Sequence, residues 1–130
     1  MYISAKVDYA TRALAALAAS PDGAPMTGDA VAEAQRLPVR YVENLLVELR
    51  RSGFVTSQRG NAGGYRLARP AGEISVADVM RAVDGPLAEV RGLRPDQMTY
   101  EGAAEHLQHV WVAVRAGLRQ VLDSVTIAHI

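Results

Sequence analysis

The sequence predicts a mainly α-helical fold with one small antiparallel β-hairpin and a long helix towards its C-terminal end. Three observations predict it. Apolar residues recur at three- and four-residue steps through most of the 130 residues. Only residues 54–58 and 65–69 alternate as strands do, and between them Asn61-Ala62-Gly63-Gly64 is composed for a tip with positive φ. A one-sided apolar stripe then runs from residue 107 to residue 125.

The elements follow in order. Ser4 caps a helix reaching about residue 19, with Val7, Ala10, Leu14, Leu17 and Ala18 on one face. Pro21-Asp22-Gly23 ends it. Thr27 caps a short second helix to about Gln35, with Asp29 in its positively polarised first turn. Arg36-Leu37 makes a tight connection, and Pro38 takes the first position of a third helix. There Val42, Leu45, Leu46 and Leu49 bury one face, which leaves Arg40, Tyr41, Glu43, Asn44, Arg50 and Arg51 outward or at the edge. Ser52-Gly53 stops this helix, the hairpin follows, and Pro70 closes it. A fourth helix begins at Ser75 or Val76, shows Val79, Met80 and Val83 on its apolar side, and ends at Asp84-Gly85-Pro86. Residues 87–99 lack periodicity and are expected to form a loop. From about Tyr100 the long helix carries Leu107, Val110 or Trp111, Val114, Leu118, Val121 or Leu122, and Val125 at three- and four-residue steps. A stripe of that length needs a partner, most simply a second copy of itself.

Composition narrows the function. The formal net charge is zero, yet residues 36–69 hold seven arginines against Glu43 and Glu48. Such a local basic face attracts phosphate in a neutral molecule, because screening confines distant charge to about 10 Å. The chain has no cysteine, which excludes disulfides, zinc fingers, thiolate clusters and cysteine nucleophiles. Lys6, Asp8 and Arg12 interrupt the N-terminal stretch, so neither a signal peptide nor a membrane span is visible and a cytoplasmic protein is expected. No nucleophile elbow, phosphate loop or paired-carboxylate spacing occurs, which argues against an enzyme.

Two short helices joined by a tight turn match a helix-turn-helix, whose second helix sets its N-terminal residues on base edges in the major groove. Arg40 is suited to guanine, Asn44 to adenine, and Glu43 to a cytosine amino group or to repelling wrong placements. Tyr41 either reaches phosphate or packs under the helix start. Arg50 and Arg51 lie three turns along, where phosphate is the expected contact. At the hairpin tip Arg59 precedes Gly60 and Asn61, small enough together to approach a sugar-phosphate wall while the guanidinium enters a narrow A/T-rich minor groove. Tyr65 completes the set expected to touch double-stranded DNA. The competing class is a protein-interaction module whose basic wing meets an acidic partner. His106 and His109, with Glu101, Glu105 and Asp123 in the same segment, have metal-ligand spacing, but histidines on the polar side of a helix are common and no metal is expected. Trp111 and Tyr100 either line a ligand cavity or simply pack.

ISAKVDYATRALAALA at the start, LPVRYVENLLVELRRSGFV in the third helix, RGNAGGYRLARP in the hairpin, ISVADVMRAVDGPL after it and W…LRQVLDSVTIAHI at the end follow one another at a familiar spacing. In them the chain resembles the Rrf2-type winged-helix transcription regulators of bacteria over nearly its whole length. The resemblance implies a winged helix-turn-helix DNA-binding domain over residues 1–86, a loop over 87–99, and a dimerisation helix with the chain's end over 100–130. It implies a homodimer, most often a repressor, on a roughly palindromic operator, with recognition helices about 34 Å apart. Arg40, Glu43 and Asn44 then lie where relatives read bases, and Arg59-Gly60 where the wing enters the minor groove.

There is one departure. Many relatives hold an iron–sulfur cluster through three cysteines in the loop before the long helix, where this chain has LAEVRGLRPDQMTYEGAAEH and no thiolate. Asp8 matches the place of a non-cysteine cluster ligand in some relatives, but it cannot hold a cluster alone and is suited to pairing with Arg12 at i+4. No iron–sulfur cluster and no other cofactor is expected, and so no sensing of iron, nitric oxide or redox state through a cluster. A small-molecule effector and a partner enzyme both stay open as the source of the signal.

Overall fold

A computed structural model describes all 130 residues. Five helices and one hairpin follow the order α1 (Ala5–Ala18), α2 (Gly28–Gln35), α3 (Val39–Arg51), β1 (Val55–Gln58), β2 (Gly64–Leu67), α4 (Val76–Asp84) and α5 (Leu107–Ser124). Side-chain oxygens start three of the helices. Ser4 accepts from the Val7 N–H, Thr27 from Ala30, and Ser75 from Asp78 in a reciprocal capping box. Pro38 instead occupies the cap position of α3, one residue before its expected place, and offers no side-chain cap.

The core is built on α1. Ala10, Ala13 and Ala16 let α2, α3 and α4 approach α1 closely, and Leu14 and Leu17 fill the space among Val31, Val42, Leu45, Leu46 and Leu49. The turn between α2 and α3 is held by Arg36 in the left-handed conformation (φ 54°), with the Leu37 N–H donating to the Ala32 carbonyl at 2.9 Å. Arg12 closes this corner from α1: its guanidinium donates to the Gln35 carbonyl and side chain. At Gly28, in the first turn of α2, an added Cβ would stand 3.0 Å from the Glu43 Cγ, so the exposed Glu43 side chain would have to shift to admit it.

The hairpin pairs Val55 with Leu67 and Gln58 with Gly64, so β2 stops two residues short of the expected Arg69. Met26 adds a third rung beside β2, exchanging two backbone hydrogen bonds with Tyr65 at 2.7 and 2.9 Å. Gly64 (φ +143°) makes this approach possible, because a Cβ there would lie 2.5 Å from the Met26 carbonyl.

The C-terminal third departs most from expectation. The long helix begins at Leu107, not near Tyr100; a single 3-10 turn at Gly102–Ala104, entered through Gly102 at φ +64°, comes first. Residues 87–99 are also more ordered than a bare loop, with a Val90–Leu93 bridge, a 3-10 turn at Pro95–Gln97, and Pro95 and Met98 buried. Val125 lies beyond α5 in extended conformation, and its carbonyl accepts from the Val76 N–H at 2.8 Å. The next residues bring the chain back to the core: Ile127 donates to the Ile74 carbonyl and is only 2% exposed. The α5 helix itself buries no residue. No helix is long and apolar enough to cross a membrane.

Candidate nucleic-acid interface

The exposed side of α3 is what remains once Val42, Leu45, Leu46 and Leu49 face the core. Arg40, Glu43, Asn44, Arg50 and Arg51 are all exposed there. The helix begins without a side-chain cap and without an acid in its first turn, so the partial positive charge of its N-terminus is unopposed. Arg50 and Arg51 sit in the last turn, where they complement the negative end of the helix. Arg50 also approaches the Ser57 hydroxyl at 3.4 Å, which links α3 to β1.

At the wing, Arg59, Gly60 and Asn61 are exposed, and Gly60 takes φ +104°. Gly63 is packed so closely under the Gln58 carbonyl that no side chain fits. Behind the tip, Arg66 donates to the Gln58 side chain at 3.1 Å, and Arg69 lies 5.1 Å over the Phe54 ring.

Ion pairing separates this region from the rest of the molecule. None of the seven arginines between 36 and 69 has a carboxylate within ion-pairing distance, whereas five of the six elsewhere do: Arg12, Arg81, Arg94, Arg115 and Arg119. Glu48, one of only two acids in the segment, is turned to Lys6 at 2.7 Å. That hydrogen bond raises the Lys6 pKa above its ordinary 10.5, with burial opposing. The basic charge of 36–69 is therefore not neutralised by ion pairs within the chain.

Two expected contact residues also have partners within the fold. Tyr41 stands edge-on to Tyr9, ring centres 5.3 Å apart, so its ring packs under the helix start. Arg12 in turn lies 5.6 Å over Tyr9. Tyr65 is half-buried against the core, and its backbone is spent on Met26. Arg36, Arg66 and Arg69, which the sequence reading did not select, share the unpaired state of the others; strand alternation marks Arg66 as outward, while nothing local marks Arg36.

On α5, Val110, Val114 and Val121 are exposed, Val121 by 61%, and Gly117 lies between the last two in open space. Leu107, Trp111 and Leu118 are half-buried. Trp111 donates to the Tyr100 hydroxyl at 3.1 Å. With Val114 and Leu118 it lines a groove of about 530 Å³ that Met1, Tyr2 and residues 87–91 complete; Tyr100 is not part of it. His106 and His109 stack, 5.7 Å between centres, and no three histidine, aspartate or glutamate side chains converge on one point. Asp8 pairs with Arg12 at 3.3 Å. The donor set therefore does not fit an iron–sulfur cluster: the segment before α5 supplies no sulfur, and the one matching carboxylate is engaged by a guanidinium.

The family Rrf2, described as an iron-dependent transcriptional regulator, matches residues 3–130. A Mycobacterium tuberculosis protein named for an HTH-type transcriptional regulator is 44% identical over the whole chain, which spans 81% of that protein. Among solved structures, CymR, the global cysteine regulator of B. subtilis, superposes with a TM-score of 0.82 at 29% identity, covering 99% of this chain and 95% of that one. IscR of T. potens gives 0.79 at 32% identity, covering 99% and 85%.

Proposed function

We propose that this chain, which belongs to the Rrf2 family of transcriptional regulators, grips an approximately palindromic operator as a homodimer and represses transcription without an iron–sulfur cluster. The seven unpaired arginines between residues 36 and 69 carry this reading. No carboxylate within the fold pairs with them, and a phosphate backbone offers the anions they lack. Arg40, Glu43 and Asn44 are the side chains that read base edges, and Arg59 is the one that enters the minor groove beside Gly60. Arg50 and Arg51 hold phosphates.

The twofold assembly is supported by α5. An 18-residue helix with no buried residue, packed on its own subunit only along the side of Leu107, Trp111 and Leu118, leaves an apolar face open to a partner. Val110, Val114, Gly117 and Val121 recur at steps of four, three and four, the seam of a helix pair. Glycine inside a helix costs about 1 kcal/mol relative to alanine, a cost that close approach of a second helix at Gly117 offsets. Repression requires only that the dimer occupy the promoter. The signal that releases it comes from a metabolite or a partner protein, because the chain has no cluster ligands.

The test is binding to duplexes enriched from genomic fragments by the purified protein. Affinity should survive an excess of random duplex and fall with salt at a slope of about 0.9 per phosphate neutralised. Arg40→Ala and Arg59→Ala should weaken it. An affinity equal for enriched and random DNA, or a basic face that captures only acidic proteins, would overturn the reading.

A further inference from the structure

Val39 is the first residue of α3 and is 43% exposed, while every other valine and leucine of that helix is buried or half-buried. It belongs neither to the core cluster nor to the side chains packed on it, so the hydrophobic core does not depend on its methyl groups. At about 100° per residue, Glu43 lies nearly in line with Val39 one turn on, and Arg40 and Asn44 form the adjoining row. An isolated exposed valine needs no explanation on an ordinary surface. This one is set among the side chains that face the bases.

From that placement we infer that Val39 is a specificity-determining residue that packs on a thymine C5-methyl in the major groove, beside the base pair read by Arg40 or Glu43. The inference rests on α3 being the reading helix. Of the groups that base pairs present in the major groove, the thymine methyl is the apolar one, and the other bases offer hydrogen-bond donors and acceptors. A β-branched side chain in a helix has one strongly preferred χ1, so little rotamer freedom is lost when it meets the methyl. Opposite a cytosine, the same valine would cover an amino group without bonding it, which is penalised. Val39 therefore selects T where the polar readers alone would tolerate C.

The experiment uses the full chain and the duplex it enriches from a random-sequence pool. Each thymine is replaced singly by deoxyuridine, which keeps pairing and removes only the methyl. One thymine in each half-site should weaken the wild-type complex by about three- to fivefold when demethylated, the factor expected for one buried methyl. Val39→Ala should bind the parent duplex weaker by a similar factor and be indifferent to that replacement, with an unchanged unfolding temperature. A wild type insensitive to every deoxyuridine, or a Val39→Ala variant that keeps the whole penalty, would overturn the assignment while leaving DNA reading intact. A pool from which nothing is enriched would overturn both.

Discussion

An asparagine amide presents a donor and an acceptor in one plane, which is the pattern adenine answers with N7 and its amino group. Asn44 is exposed at the sixth position of α3, so Asn44→Ala should cost about 1–3 kcal/mol at one base position and little elsewhere. Titrations against single-base variants of the enriched duplex measure this, and a uniform loss across sequences would reassign Asn44 to the backbone. Arg59→Ala should instead relax the preference for A/T-rich flanks. Lys6 gives a pH expectation. Its pKa is raised by Glu48, so whatever the pair contributes is present below 10.5 and is lost as pH rises through the higher folded value. Both side chains are more than a third exposed, so Lys6→Met should cost less than about 1 kcal/mol at pH 7 in urea melts. The difference from wild type should vanish in strong alkali.

Local chemistry made the elements readable where it is specific. Ser4, Thr27 and Ser75 each have the oxygen that an N-terminal N–H needs, and all three cap as expected. Periodicity likewise separated the buried face of α3 from Arg40, Glu43 and Asn44. What the chain does across distance left no such mark. Tyr41 finds Tyr9 on another helix, Met26 finds Tyr65, and Ile127 returns to Ile74, each by contacts that impose no repeat on the sequence. Helical spacing continues through residues 100–106 and so predicts an earlier start for α5 than Leu107, although Gly102 adopts φ +64° there. Two substitutions test the elements. Ser75→Ala should lower stability by about 1 kcal/mol through loss of the cap. Gly64→Ala forces a Cβ into the Met26 backbone at a positive φ and should cost more than that. It should also free the wing, seen as faster hydrogen exchange at Tyr65, and an unchanged exchange rate would refute the rung.

At the scale of the molecule, net neutrality hides a division of labour. Five of the six arginines elsewhere are ion-paired, and the arginines of 36–69 are not. That segregation was readable from counts along the sequence; which arginines lack partners was not, since pairing depends on the fold. The apolar stripe of α5 was readable too, but only the structure separates half-buried Leu107 and Leu118 from the freely exposed Val114 and Val121. Val121→Glu should therefore leave the subunit folded, give monomers in sedimentation, and weaken operator binding. A dimer that persists would move the interface elsewhere.

The most direct single measurement is a chemical footprint of the purified protein on its enriched duplex. Two major-groove segments about 34 Å apart should be protected about a dyad, each flanked by minor-groove protection that Arg59→Ala removes. Protection confined to one segment, or spread evenly without regard to sequence, would contradict a paired helix-and-wing clamp.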